Sequence, residues 1–230
     1  MATRFHHDMT PLDREIGEVR AQISQMGGLA EQAIHDAMKA LQRNDTDLAE
    51  EVRKKDKTID AIESGVERLA LGVITSGTAS PEDLREMVGA LKIAAVIERI
   101  GDYAKNIAKR VRLIHGDDRI EAVSLLPAMA QLAGDMVHDV LDAFAARDPA
   151  AAIAVWERDR VLDDFYESIF RTLVTFMVEN PRTVGQVSHL LFVAKNIERI
   201  GDHATNVAEM VYFAATGDYL ADRETGASAG

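Results

Sequence analysis

The chain has 230 residues, of which 47% are apolar and none is cysteine, and its formal net charge at pH 7 is −12. This length allows one domain or two small ones, and the absence of cysteine excludes disulfides and thiolate zinc sites, as is typical of cytosolic proteins. The acidic balance argues against nucleic-acid binding and docking on anionic lipid, and the polar residues 1–10 have no apolar signal-peptide core, so we expect a cytoplasmic protein that binds cations or basic protein surfaces.

Three long helices are predicted in the first half of the chain, over residues 11–41, 47–74 and 81–114. In each of them apolar residues recur at spacings of three and four, which is the period of a helix with one buried face. The third helix has the most regular stripe, from Ile93 to Val111, and this stripe indicates the seam of a helical bundle. Ser80 and Pro81 supply an N-cap and a favourable first residue for that helix.

The second half of the chain repeats this plan. Its predicted helices span residues 126–144, 149–177 and 181–215, and their offset from the first set is 103 residues, falling to 100 after a shorter turn. Because the connecting loops are short, neighbouring helices in each set are expected to run antiparallel. The sequence therefore predicts an all-α protein of two tandem, pseudo-repeated three-helix bundles, residues 11–116 and 121–217, with a flexible polar tail at 218–230.

A ten-residue segment occurs twice, once in the third helix of each bundle. Residues 97–106 read IERIGDYAKN and residues 197–206 read IERIGDHATN, which are identical at eight positions. The acidic residues of each segment stand four apart, so both carboxylates lie on one helix face, about 5–6 Å apart at Cβ. Two like charges at this spacing slightly destabilise an isolated helix. A pair that occurs twice therefore indicates a positive group nearby.

The second helix of each bundle carries an acidic pair at the same spacing. Glu98 and Asp102 are rotated away from the apolar seam and face outward or sideways, whereas Asp56 and Asp60 lie somewhat nearer to the apolar stripe of their own helix. Two neighbouring helices can therefore present four carboxylates to one groove near the surface. The candidate ligands are Asp56, Asp60, Glu98 and Asp102 for the first site, and Asp159, Asp163, Glu198 and Asp202 for the second. Asn106 and Asn206, one turn further along, are additional candidates.

An all-oxygen ligand set favours hard or borderline cations such as magnesium, calcium, manganese or iron. A lysine, an arginine or plain solvent would also neutralise the carboxylates, and a single acidic pair is usually a solvated surface. Gly101 and Gly201 lie in mid-helix beside the pairs, where glycine costs about 1 kcal/mol relative to alanine, which indicates close approach of another backbone or a ligand. The joint duplication of carboxylates, glycines and asparagines favours a metal ion or a comparable cation.

The two copies of E-R-I-G-D-x-A-x-N, each preceded by a helix with D-x-x-x-D, resemble the PhoU family over about residues 11–217. The second copy has the family's usual histidine at His203, whereas the first has Tyr103. The resemblance implies a cytoplasmic, often homodimeric, non-enzymatic adaptor that links the ATPase of a phosphate ABC transporter to a sensor histidine kinase and represses the phosphate-starvation response. It also implies metal ions at the two acidic sites, with iron or zinc ahead of magnesium, manganese or calcium.

Two other functions are compatible with the residues. The first is a carboxylate-bridged metal store or di-iron enzyme on a helical bundle. Bundles of that kind use inward-facing Glu and Glu-x-x-His motifs, whereas this sequence has no Glu-x-x-His and its carboxylates are expected to face outward. The second is a helical scaffold whose acidic faces bind arginines of a partner protein.

Overall fold

The computed structural model describes residues 10–114 and 124–220, and the regular structure within these residues is helical, with no strand. The seven α-helices found there are α1 Pro11–Arg43, α2 Thr46–Thr75, α3 Pro81–Arg110, α4 Leu126–Ala146, α5 Pro149–Trp156, α6 Asp159–Glu179 and α7 Val184–Thr216. Short 3-10 turns follow α3 at Val111–Leu113 and precede α7 at Pro181–Thr183. No helix in these two ranges is both long enough and apolar enough to cross a membrane.

The expected all-α fold of two tandem three-helix units is confirmed, with α1, α2 and α3 in the first bundle and α4 to α7 in the second. Residues 115–123, where the two predicted units meet, and residues 221–230 of the predicted tail lie outside the described residues. The first residues of that tail pack on the second bundle, because Leu220 is buried and the Tyr219 ring stacks on Phe213 at 4.9 Å.

The middle helix of the second bundle differs from the prediction of one continuous helix over residues 149–177. It is interrupted at residues 157–158, where the N–H of Arg158 donates to the carbonyl of Val155, three residues back rather than four (3.0 Å). Arg158 also forms an ion pair with Asp139 of α4, so the tightened turn coincides with a contact to the neighbouring helix. In the first bundle the equivalent helix, α2, is continuous.

Side-chain caps fix where α2 and α3 begin. At the start of α3, the N–H of Asp83 donates to Ser80 Oγ (3.1 Å) and the N–H of Ser80 donates to the Asp83 carboxylate (2.9 Å), with Pro81 in the first turn. At the start of α2, the Asp45 carboxylate accepts the N–H of Leu48 (2.9 Å). Capping of this kind stabilises a helix by about 1 kcal/mol, and here it sets the register in which the two helices face each other.

The two bundles pack against each other mainly through α3 and α7, and α1 also packs against α4. The predicted seams are buried at this junction, including Ile100 of α3 and Ile200 of α7. The repeat-equivalent residues Tyr103 and His203 meet edge to face, with ring centroids 5.1 Å apart. A continuous apolar core runs through both bundles, so the helices that carry the two acidic motifs are held by the same packing.

Candidate metal centres

The second bundle brings three of its four predicted ligands close together. Oxygens of Asp159 and Asp163 on α6 and of Asp202 on α7 lie within 4.8 Å of one another, and in the described part of the chain no other acidic or histidine group is this compact. Asp163 is exposed and the other two are partly exposed. Three carboxylates at this separation can ligate one cation, which would replace their mutual repulsion by attraction.

Glu198 is the fourth predicted ligand, and it lies at the edge of this group. It is buried, with 8% of its surface exposed, and its Oε1 pairs with the ammonium group of Lys195. Its Oε2 and the Oδ1 of Asp159 are buried and have no hydrogen-bond partner among the described residues. Buried carboxylate oxygens without partners are costly, so two of them at one site fit a cation held between α6 and α7.

The electrostatics of the second site agree with this geometry. Burial, followed by the negative charges of Glu198 and Asp159, raises the pKa of Asp202 to about 6. Burial and the neighbouring Asp163 also raise the pKa of Asp159. Ionisation of Asp159 and Asp202 is therefore disfavoured, and these two carboxylates favour taking up a proton or a cation.

The first bundle arranges its carboxylates differently. The ammonium group of Lys105 on α3 donates to Asp56 of α2 and pairs with Asp102, three residues before it on α3. Burial alone would lower the pKa of Lys105, but its hydrogen bonds to Asp102 and Asp56 outweigh burial and raise the pKa to about 12. The lysine is therefore charged at neutral pH and lies between two of the four predicted ligands.

The remaining predicted ligands of the first site lie around this ion pair. Asp60 is exposed, and Glu98 is partly exposed with its Oε2 3.6 Å from the guanidinium of Arg99. Burial, followed by the charge of Asp56, raises the pKa of Asp60, and burial, followed by the charge of Asp102, raises the pKa of Glu98. The first site thus keeps its acidic character at the rim, while a lysine occupies its centre.

The two asparagines lie apart from these groups. Asn106 accepts a hydrogen bond from Lys109 (3.0 Å), and Asn206 is exposed. Nothing in these contacts directs either amide toward the carboxylates, and their role as ligands stays a prediction.

The depth of the sites corrects one expectation. The acidic pair of the last helix in each bundle is expected to face outward or sideways, but Glu198 is buried, with 8% of its surface exposed. Asp56, which is expected to lie nearer to the apolar stripe of its helix, is 7% exposed. The reason is the close packing of the helix pair at the mid-helix glycines. A Cβ on Gly101 would lie 2.8 Å from Ile59 Cδ1, and a Cβ on Gly201 would lie 2.1 Å from Leu162 Cδ2.

The glycines therefore let a side chain of the neighbouring helix approach, where the sequence indicated another backbone or a ligand. Sequence reasoning named nearby lysines only in general and missed the specific role of Lys105. The signal for it is the spacing, since a lysine three residues after Asp102 lies on the same helix face.

The fold and the sites together define a class of protein: a duplicated three-helix bundle with a carboxylate-lined groove between the last two helices of each copy. The chain matches the PhoU domain over residues 23–111 and again over residues 126–211. It therefore belongs to the PhoU family.

Named relatives agree with this assignment. The chain is 45% identical to the phosphate-specific transport system accessory protein PhoU homolog of Zymomonas mobilis, over 98% of this chain and 95% of that protein. It is 42% identical to the protein of the same name from Caulobacter vibrioides, over 93% and 94% of the two chains. The crystal structure of PhoU from Pseudomonas aeruginosa is similar with a TM-score of 0.85 and 32% identity, covering 90% of this chain and 99% of that chain.

Proposed function

We propose that this chain is a cytoplasmic regulator of phosphate uptake and of the phosphate-starvation response. It acts as an adaptor between the ATPase of the phosphate ABC transporter and a sensor histidine kinase. The observation that carries this proposal is the PhoU domain, present twice over most of the chain. The names of relatives that are similar over nearly their whole length, which associate them with the phosphate-specific transport system, support it.

The adaptor is proposed to be non-enzymatic and homodimeric, and to reach the membrane through its protein partners. The formal net charge of −12 supports association with the membrane through partners, because it opposes direct binding to anionic lipid, and it also opposes binding to nucleic acid. It is also compatible with docking on basic surfaces of partner proteins.

Deleting the gene in its own host tests the regulatory role. We expect phosphate-scavenging genes to be expressed in phosphate-rich medium in the deletion strain, and repression to return when the wild-type gene is supplied on a plasmid. Co-purification of the chain with the transporter ATPase and with the kinase would test the adaptor role directly. Unchanged reporter expression in the deletion strain would contradict the proposal.

The second acidic site is proposed to hold a metal ion on Asp159, Asp163 and Asp202, with Glu198 as a further ligand. The fit rests on the close carboxylates and on the two buried oxygens without partners among the described residues. The donor set is all oxygen, which suits iron, manganese, magnesium or calcium, and zinc is included because of the family resemblance. The bound ion would neutralise the groove and join α6 to α7.

Elemental analysis tests this site. We expect protein purified without a chelating resin to carry metal, and the double variant Asp159→Asn, Asp202→Asn to lose most of it. Asp164→Asn is the matched control, because Asp164 is an exposed carboxylate on the same helix outside the group. Equal metal content in the double variant and the control would contradict the site.

A di-iron enzyme or a metal store is the competing hypothesis, and the ligand set of the site distinguishes it from the metal-binding adaptor. The group on α6 and α7 consists of carboxylates, whereas di-iron bundles add histidines from Glu-x-x-His motifs. Sustained oxygen consumption by the ferrous-loaded protein would favour the enzyme over the adaptor. A structural scaffold whose acidic faces bind partner arginines would carry no metal, so elemental analysis of the wild type separates it from the metal-binding adaptor.

A further inference from the structure

We propose that Lys105 is the built-in cation of the first acidic site, so that the chain takes up its metal ion at the second site. This inference rests on the metal site proposed above and adds to it a residue that decides which copy of the motif is loaded. It is carried by the different residues at one repeat-equivalent position, Lys105 in the first bundle and Thr205 in the second.

The position of the Lys105 ammonium group is that of a bridging ion. It contacts one oxygen of Asp56 on α2 and one of Asp102 on α3, and so joins the two helices through two carboxylates. The side chain is largely removed from solvent, with 23% of it exposed, and the Asp56 side chain is 8% exposed. The lysine side chain thus lies mostly out of solvent, with its ammonium group against carboxylates of both helices.

At the equivalent place in the second bundle there is no such bridge among the described residues. Thr205 is too short to reach across the groove, and its hydroxyl donates to the backbone carbonyl of Asp202 (2.6 Å) instead of to a carboxylate. The counterpart of Asp56 is Asp159, whose Oδ1 has no partner in the described residues. Among the described residues, no side chain of the second bundle therefore joins α6 and α7 through these carboxylates in the way that Lys105 joins α2 and α3.

The second bundle also has a lysine near its carboxylates, but in a different place. Lys195 pairs with Glu198 on its own helix, and its ammonium group lies 5.2 Å from the centre of the Tyr166 ring. This places it at the flank of the group formed by Asp159, Asp163 and Asp202. In the first bundle the equivalent of Lys195 is an alanine, Ala95, so each bundle has one lysine at its site, in different positions.

A metal ion and the Lys105 ammonium group compete for the same oxygens. An ion in the first site would need the Asp56 and Asp102 oxygens that Lys105 already contacts, and the two positive charges would repel each other at that distance. Among the described residues, the second site has no lysine that contacts carboxylates of both helices, because Lys195 pairs with Glu198 on its own helix. Metal affinity is therefore expected to differ between two sites that have the same four carboxylates.

A reciprocal exchange of the two residues tests this proposal in the full-length chain. Metal-free wild type, Lys105→Thr and Thr205→Lys are dialysed against Mn²⁺ alone and Zn²⁺ alone, and bound metal is measured per chain. We expect the load to about double in Lys105→Thr and to fall to background in Thr205→Lys, since each site needs its bridging position free. Lys109→Thr, which removes an exposed lysine one turn further along α3, should load like wild type.

A second measurement leaves Lys105 in place. In the variant Asp159→Asn, Asp202→Asn, the second site is removed, and we expect no residual metal on the first. Adding Lys105→Thr to that background should restore binding at the first site.

The outcomes separate this inference from the metal site on which it rests. Metal that stays bound after removal of the second site, or an unchanged load in Lys105→Thr, would overturn the role of Lys105 while leaving metal binding intact. A wild-type protein that binds no metal under any condition would overturn both. Circular dichroism of each variant checks that the helices are formed, so that a loss of metal binding is not attributed to the substitution when the protein has unfolded.

Discussion

In the first bundle, Asp56 and Asp102 share the ammonium group of Lys105, whereas in the second bundle their counterparts Asp159 and Asp202 have no cation between them in the described structure. The two grooves are alike at the mid-helix glycines, because Asp56 Oδ1 and Asp159 Oδ1 would each lie 3.8 Å from a Cβ on the glycine of the facing helix. They differ in that the helix carrying Asp159 begins at this residue, whereas Asp56 lies within α2. The placement of the lysine is different. Lys105 contacts carboxylates of both helices in the first groove, whereas Lys195 in the second pairs with Glu198 on its own helix.

If Lys105 has the proposed role, the acidic motif alone does not define a metal site. The two motifs are identical at every carboxylate and differ at two positions, Tyr103/His203 and Lys105/Thr205, of which the second lies three residues after the last aspartate. A side chain at that position reaches back over the carboxylates of its own helix. A lysine at this position pairs with the carboxylates of both helices, whereas a short polar residue leaves them available to an ion from solution.

Removing the internal cation is expected to have the largest effect on stability. In Lys105→Met, studied with a chelator present, Asp56 remains buried without its partner, and breaking a buried ion pair on one side costs about 3–5 kcal/mol. Lys105 is partly exposed, so we expect a smaller loss in the free energy of unfolding, about 2–3 kcal/mol. Urea unfolding followed by circular dichroism measures it.

Lys109→Met is the matched control for this substitution. Lys109 lies on the exposed face of α3, one turn beyond Lys105, and hydrogen bonds to Asn106. An exposed residue of this kind is expected to change stability by no more than about 0.5 kcal/mol. Equal effects of the two substitutions would show that the contacts of Lys105 contribute nothing beyond those of a surface lysine.

The fold was largely predictable from the sequence, because its determinants are local. The apolar stripe that includes Ile97 and Ile100 repeats at helical spacing, and Ser80 and Pro81 mark a helix start. The break between α5 and α6 was not predictable. It coincides with a contact of Arg158 to Asp139 on another helix, which no local pattern contains.

The candidate sites were predictable as residue sets but not as geometries. Spacing places Glu198 and Asp202 on one face of a helix, and it gives Glu98 and Asp102 the same arrangement. The depth of each groove depends on contacts between helices, such as that of Leu162 with Gly201, and these are set by packing. For this reason the burial of Glu198 and its unpartnered oxygen appear only in the structure.

The open second site is expected to make stability depend on pH when metal is absent. The pKa of Asp202 is about 6 in the folded chain, mainly because of burial, and its ordinary value is 3.8. Between these two values the folded state holds a proton that the unfolded state has released. The free energy of unfolding contributed by Asp202 therefore falls as the pH rises from about 4 to about 6.

The measurement compares metal-free wild type with Asp202→Asn across this range. The difference corresponds to at most about 1.4 kcal/mol for each pH unit that separates the two pKa values. Because Asp202 is partly exposed, we expect a total change on the order of 1–2 kcal/mol. Asp164→Asn should leave the pH profile of the wild type unchanged. Parallel profiles for wild type and Asp202→Asn would contradict the raised pKa.

Alanine at the two glycines is expected to have the smallest effect and to differ between the bundles. Alanine gains up to about 1 kcal/mol over glycine in a helix, while overpacking costs about 1–3 kcal/mol. A new Cβ would lie 2.1 Å from Leu162 Cδ2 at Gly201 but 2.8 Å from Ile59 Cδ1 at Gly101. We therefore expect Gly201→Ala to lose about 1 kcal/mol and Gly101→Ala to lie near zero.

Gly28→Ala supplies the reference for these two variants. Gly28 lies inside α1, and a Cβ there meets no heavy atom within 4 Å in the described residues, so the substitution should stabilise the protein by about 0.5–1 kcal/mol. Chemical unfolding of the three variants gives the order Gly28→Ala, Gly101→Ala, Gly201→Ala from most to least stable. If Gly201→Ala were as stable as Gly28→Ala, Leu162 could move aside without cost, and the tight approach at Gly201 would not be what sets the depth of the second groove.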